Sequence, residues 1–201
     1  MPLPNSDPLR AGIVSGGGGF VVHLSDLCDK HGMDVVDLNT APNGPKLIED
    51  ISKNLPFYWS KNNPVDLVAT RDTLAYKKVT ELMIASGCFD VIFTMSHTGL
   101  GDRIGKMKPE NEYGVRMKQM LQSFVGTKER FKEMVEGEIN MCKYNPNTKV
   151  IYISFDPGFG DPIYDENEVL VVGGNPEVAT IVLKKLHEYQ NFVNATTNGI
   201  K

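Results

Sequence analysis

Short apolar runs alternate along the chain with segments whose apolar residues recur every three or four positions. Ala11 to Val14 is a short β-branched run that stops at Ser15-Gly16-Gly17-Gly18-Gly19, and a helical pattern follows from Phe20 to Lys30. Gly32 is a helix stop, and Met33 to Leu38 reads as a second strand closing a βαβ unit. Leu47, Ile48, Ile51 and Leu55 lie at helical spacing between Pro45 and Leu55, and Pro56 to Pro64 is a loop carrying the single tryptophan, Trp59. Thr73 to Ser86 predicts a helix with Leu74, Val79, Leu82 and Met83 as its buried stripe, capped by Gly87. Asp90 to Met95 is the clearest buried strand.

The next regular strand, Lys149 to Ser154, begins more than 50 residues further on, which is long for a connection in an open α/β sheet. An insertion is therefore expected over residues 99–148. Met117, Met120, Leu121 and Phe124, then Phe131, Met134, Val135 and Ile139, predict two helices broken near Gly126-Thr127, where Thr127 caps the second. The methionines are expected in the core of these helices, though Met-rich faces also suit partner docking. Glu168 to Val172 is a strand and Glu177 to Phe192 a closing helix, followed by a polar tail. This alternation argues for a parallel sheet wrapped by helices on both faces, with ligands bound beyond the carboxyl ends of the strands. The glycine run, the loop after Leu38 and the segments beginning Ser96-His97 and Phe155-Asp156 share that edge.

At 201 residues, 41% of them apolar and 23% charged, the chain suits one domain over residues 1–201 that includes the insertion. The formal charge of −4 is spread along the sequence, so no positive stripe exists to neutralise a nucleic acid backbone. Cys28, Cys88 and Cys142 are odd in number and far apart, which fits reduced thiols in a cytoplasm, and no metal-ligand spacing joins them. Met1 to Arg10 has no apolar run and no stretch is long enough to span a bilayer, so a soluble, unexported protein is expected.

A glycine run between strand and helix lets backbone N–H groups converge without Cβ interference, and the helix dipole adds positive potential where they point. Ser15 to Gly19 is therefore a candidate anion site; the plainer alternative is a tight turn that allows close helix packing. The dinucleotide fingerprint fails, because the sixth place counted from Gly16 is Val21 and from Gly17 is Val22. Asp37 does lie at the distance of a ribose-binding carboxylate, which keeps nicotinamide dinucleotide binding as an alternative.

Gly12-Ile13-Val14-Ser15-Gly16-Gly17-Gly18-Gly19, the following helix, Gly32 and the strand ending Asp37-Leu38 resemble the opening of the second flavodoxin-like domain of NDP-forming acyl-CoA synthetases. Asn63-Pro64-Val65-Asp66-Leu67 is similar to the family's most specific local mark, and Leu170 to Tyr189 resembles its ending. The pattern departs at about residues 99–148 and again at Phe155 to Asn167, where Pro157-Gly158-Phe159-Gly160-Asp161-Pro162 replaces a helix. The resemblance implies a flavodoxin-like fold within a ligase that makes acyl-CoA from a carboxylic acid, CoA and a nucleoside triphosphate through an acyl phosphate and a phosphohistidine. It places a phosphate or substrate role on Ser15, Gly16, Gly17, Gly18 and Gly19, with Asn63 and Asp66 shaping the adjacent loop. It implies no cofactor on this domain alone; CoA and ATP, or another NTP, serve the complete enzyme. CoA-binding and ATP-grasp domains or subunits are the implied partners, in an oligomer acting on a small carboxylic acid. A non-catalytic assembly module on the same fold is the alternative, predicting oligomerisation through residues 105–142.

Ser96-His97-Thr98-Gly99 spells the residues that surround the phosphohistidine in many members of that family, although it follows a different strand. His97 is a candidate phosphoryl acceptor, with the Ser96 and Thr98 hydroxyls supporting the phosphoryl oxygens; the bland alternative is an ordinary loop histidine. His23 and His187 fall within helices as packing or surface residues, and His31 complements a helix C-terminus. Asp156, Asp161, Asp165, Glu166 and Glu168 do not match an EF-hand spacing and read as a solvated acidic loop.

Overall fold

The computed structural model describes residues 3–68, 73–96, 104–124, 136–137, 140–141, 143–154, 169–173 and 175–198. Within them, strands β1 (Arg10–Ser15), β2 (Asp34–Val35), β3 (Val65–Asp66), β4 (Val91–Ser96), β5 (Lys149–Ser154) and β6 (Val169–Gly173) form one parallel sheet. Its order is β2-β1-β4-β5-β6, with β3 also paired to β1. Helices α1 (Gly18–Lys30), α2 (Gly44–Ser52), α3 (Thr73–Ala85), α4 (Glu112–Phe124) and α5 (Pro176–Asn198) complete a flavodoxin-like α/β fold.

Period-two alternation sends successive residues of the central strands to opposite faces. Ala11, Ile13, Phe93, Ile151 and Ile153 pack in one cluster with Val21 and Leu24 of α1 and Ala179 and Leu183 of α5. Val14, Ile92, Val150 and Tyr152 pack on the other side with Leu47 and Ile51 of α2 and Val79 and Met83 of α3. Phe89, Phe93, Ile92 and Tyr152 are fully buried, and burial of a phenylalanine or isoleucine side chain contributes roughly 1.5–3 kcal/mol. At the amino end, the Asp90 carboxylate joins β1 to β4. It accepts from the Arg10 backbone N–H and Nε at 2.7 and 3.1 Å through Oδ2, and from the other end of the guanidinium at 2.7 Å through Oδ1.

Several boundaries differ from the sequence pattern for physical reasons. β2 is only two residues long because, beyond Ala11, the edge of β1 is taken by the Asn63 side chain and then by β3. Helix α1 begins at Gly18, not Phe20, and ends at Lys30, with Gly32 turning the chain away at φ +74°. In α3, Leu74 is 73% exposed and Leu82 only partly buried, while Ala75, Val79, Met83 and Ile84 face inward. Helix α5 continues past Phe192 to Asn198, tied to the N-terminal segment by an Asn194 Nδ2 to Asn5 Oδ1 bond of 2.9 Å. Gly44 opens α2 against the preceding loop so closely that a Cβ there would overlap the Leu38 carbonyl. In the expected insertion, α4 carries Met117 half-buried and Met120 46% exposed, so neither is core. The predicted break at Gly126-Thr127 and Met134 lie outside the described residues.

Candidate functional site

The sheet has a topological switch point between β1 and β4: β2 and β3 lie on one side of β1, and β4, β5 and β6 on the other. Parallel pairing brings the carboxyl ends together, with Ser15 opposite Asp66 and Ser96 opposite Ser154. This crevice is where open α/β sheets bind ligands. The glycine turn stands over it.

Ser15 is fully buried and its Oγ accepts the Gly17 N–H at 3.3 Å. Gly17 is extended, at φ −131° and ψ 111°, and its carbonyl accepts from the Phe20 and Val21 N–H groups at 3.0 and 3.3 Å. No side chain caps this end and the first turn holds no acidic residue. Among the described residues, the Gly18 and Gly19 N–H groups have no hydrogen-bond acceptor, so they and the helix dipole present positive potential at the crevice.

The Asn-Pro-Val-Asp segment approaches this turn from the β2 side. Asn63 is 7% exposed, and its amide works as an extra rung between strands. Oδ1 accepts the Ile13 N–H at 2.9 Å, while Nδ2 donates to the Ala11 and Val36 carbonyls at 2.9 and 3.1 Å. β3 follows at once and the Leu67 N–H donates to the Ser15 carbonyl at 2.9 Å. The Asp66 side chain then turns back: Oδ1 accepts the Val68 N–H at 2.9 Å, and Oδ2 lies 2.9 Å from where a Cβ on Gly18 would be. Val68 sits at φ +47°, a conformation rare for a β-branched residue.

Asn62 completes the loop by accepting from Leu38 N–H at 2.8 Å and donating to Asp37 Oδ1 at 3.0 Å. The same Asp37 oxygen accepts the Asn39 N–H and Nδ2 at 2.9 and 3.0 Å. These bonds, the Asn39 backbone N–H foremost, hold the Asp37 carboxyl below its ordinary pKa. Sequence reasoning did not single out Asn62 or Val68: neither lies in a periodic pattern, and the asparagine pair before Pro64 was the one available cue.

Ser96 ends β4 at the same edge, whereas His97, Thr98 and residues 155–168, including the acidic loop, lie outside the described residues. His23 is exposed; His187 is 9% exposed and lies 3.4 Å from the Asn191 amide along α5. Burial pushes the Cys28 thiol up to about 12, which keeps it protonated and unreactive near neutrality. Among the described residues, no three His, Cys, Asp or Glu side chains are placed to hold a metal ion, and no helix is long and apolar enough to cross a membrane.

Sheet order and helices together define a flavodoxin-like α/β fold, with the glycine turn at the carboxyl end of β1. No family model and no curated protein sequence matches the chain. Solved structures do. PH0766 from Pyrococcus horikoshii OT3 is similar over 95% of this chain and 37% of its own, with a TM-score of 0.62 and 20% identity. The dinucleotide-forming acetyl-coenzyme A synthetase 1 of Ca. Korarchaeum cryptofilum, in its apo form, is similar over 97% of this chain and 36% of its own, with a TM-score of 0.58 and 17% identity. The same synthetase in complex with phosphate and ADP gives 0.57 and 18% over the same shares. This chain thus spans little more than a third of the chains it matches, and at such identities the likeness establishes a shared fold.

Proposed function

We propose that the chain is a domain or small subunit of an NDP-forming acyl-CoA synthetase, corresponding to the second flavodoxin-like domain. In this reading the α1 N-terminus holds a phosphoryl group or the acyl carboxylate. The observation that carries it is the pair of N–H groups at Gly18 and Gly19, which have no acceptor among the described residues, over the switch point at the carboxyl end of β1. The fold shared with part of an acetyl-CoA synthetase supports it. The chain's own residues bind and orient an anion; the CoA-binding and ATP-grasp chemistry, and the phosphohistidine of the family, belong to partner domains or subunits. Phosphorylation of His97 itself is a lesser branch of this reading, detectable as acid-labile, base-stable phosphate on that residue.

Gly19→Asp tests the proposal. Gly19 is exposed and a Cβ there meets nothing within 4 Å. A carboxylate in the first turn favours the helix by about 0.3–1 kcal/mol while placing negative charge where the anion would bind. The expected result is an unchanged or raised melting temperature with loss of phosphate binding in calorimetric titration. Phosphate binding in the variant as tight as in the parent, or none in the parent, would remove the anion site from this turn.

The assembly-module alternative draws on α4, where Tyr113 and Val115 are 72% and 41% exposed. It requires deletion of residues 105–142 to reduce hydrodynamic size beyond the mass removed.

A further inference from the structure

Resting on the anion-site reading above, we propose that Asp66 sets the selectivity of the glycine turn, favouring anions that carry a proton, such as inorganic phosphate near neutral pH, over fully ionised ones such as sulfate. Asp66 is half-buried and is directed in register: it pairs with Ser15, and its Oδ1 is held by the Val68 N–H at 2.9 Å. Its Oδ2 has no hydrogen-bond donor among the described residues and stands 2.9 Å from the Cβ position of Gly18. Cβ and amide nitrogen share one Cα, so Oδ2 lies within about 5.5 Å of the Gly18 nitrogen. A tetrahedral anion accepting the Gly18 N–H is of the size to bring one of its other oxygens to Oδ2.

That meeting is favourable only if a proton lies between the two oxygens. Phosphate near neutral pH bears at least one P–OH, which donates to the carboxylate while the remaining oxygens accept from Gly18 and Gly19. Sulfate has only acceptors, so its oxygen and Oδ2 repel in a partly desolvated site. A bare helix N-terminus takes either anion; one with a fixed carboxylate beside it sorts them by protonation.

The test titrates the whole chain at pH 7 with inorganic phosphate and, separately, with sulfate. The parent protein is expected to bind phosphate at least about tenfold more tightly, and Asp66→Asn, whose amide can donate where the carboxylate could not, to gain sulfate binding and narrow that ratio. Equal affinity for both anions in the parent leaves the anion site standing and overturns the role of Asp66, as does a ratio unchanged in a folded Asp66→Asn. Binding of neither anion by the parent overturns both. Equal affinities in the parent overturn the role of Asp66 even if Asp66→Asn fails to fold.

Discussion

Replacing Asn63 by alanine isolates one contact on which the site's geometry depends. The substitution strips the Ile13 N–H of its acceptor and the Val36 carbonyl of its donor; the Ala11 carbonyl loses Nδ2 but keeps the Val36 N–H at 3.3 Å. An unmade hydrogen bond at a buried backbone group costs about 1–3 kcal/mol. Two groups left wholly or partly unpaired, with the third weakened, cost about 2–5 kcal/mol in total. For a chain of this size that lowers the melting temperature by about 5–15 °C. Urea titration should show the same loss as a lower midpoint with an unchanged slope. Asn63→Asp separates this account from a simple loss of packing. The carboxylate keeps an acceptor for Ile13 but turns an oxygen toward the Ala11 and Val36 carbonyls, so at neutral pH it should cost at least as much as alanine. A drop of under about 2 °C for Asn63→Ala, or an aspartate variant as stable as the parent, would refute the claim that this amide bridges β1 and β2.

Asp90 supplies a pH prediction from the opposite end of the sheet. Burial pushes its pKa up, but hydrogen bonds from the Arg10 guanidinium, Ser6 and the Arg10 N–H, with the Arg10 charge, outweigh burial and hold it below the ordinary value. A depressed carboxyl stabilises the fold above the unfolded pKa of about 3.9 and loses that contribution as pH falls through the folded value. Asp90→Asn should therefore destabilise at pH 7 and flatten the acid limb of the stability curve below about pH 4; an acid limb identical to the parent's would show that another group governs it. At the turn, Gly17→Ala should leave melting and anion binding alone, since its backbone is extended and a Cβ meets nothing within 4 Å. Gly18→Ala should shift anion binding because its Cβ meets Asp66 Oδ2 at 2.9 Å, and identical titrations for both variants would show that Asp66 and the turn are not in contact.

The parts of the fold legible in the sequence are those that repeat. β4 and β5 announce themselves as apolar runs, α1 and α2 as helical periodicity, and the glycine turn as a break between two kinds of pattern. The parts that were not legible depend on partners distant in the chain. β3 is two residues long and leaves no period to detect; it exists because Val65 and Asp66 meet Val14 and Ser15. β2 is cut short by a side chain 27 residues beyond the carbonyl it binds at Val36. Leu74 reads as part of an inward stripe with Val79 and Met83, yet those two are buried beside Ala75 while Leu74 is exposed. The Asn63-to-Leu67 run was conspicuous as a family-like mark. Its physical use, a side-chain rung followed by a carboxylate aimed at a helix end, appears only when β1 is laid beside it.

The same contrast bears on why the α1 terminus is open. Helix α5 has Asn175 Oδ1 accepting the Glu177 N–H at 2.9 Å and an acidic residue in its first turn; α4 has Asn111 Oδ1 accepting the Gly114 N–H at 2.8 Å and Glu112. α2 has Pro45, which carries no N–H to satisfy, as its second residue, and the Gly44 N–H before it donates to the Ala41 carbonyl at 2.9 Å. In each case the sequence quiets the donors by a cap, a charge or a missing hydrogen. At α1 it does none of these, although a serine or aspartate at position 17 would contribute about 1 kcal/mol. Asp66, whose carboxylate lies beside Gly18, accepts from the Val68 N–H and, among the described residues, nothing caps the Gly18 and Gly19 N–H groups. Stability is thus forgone at a helix start that overlies the switch point, which is the arrangement expected if those donors serve a bound anion rather than the fold.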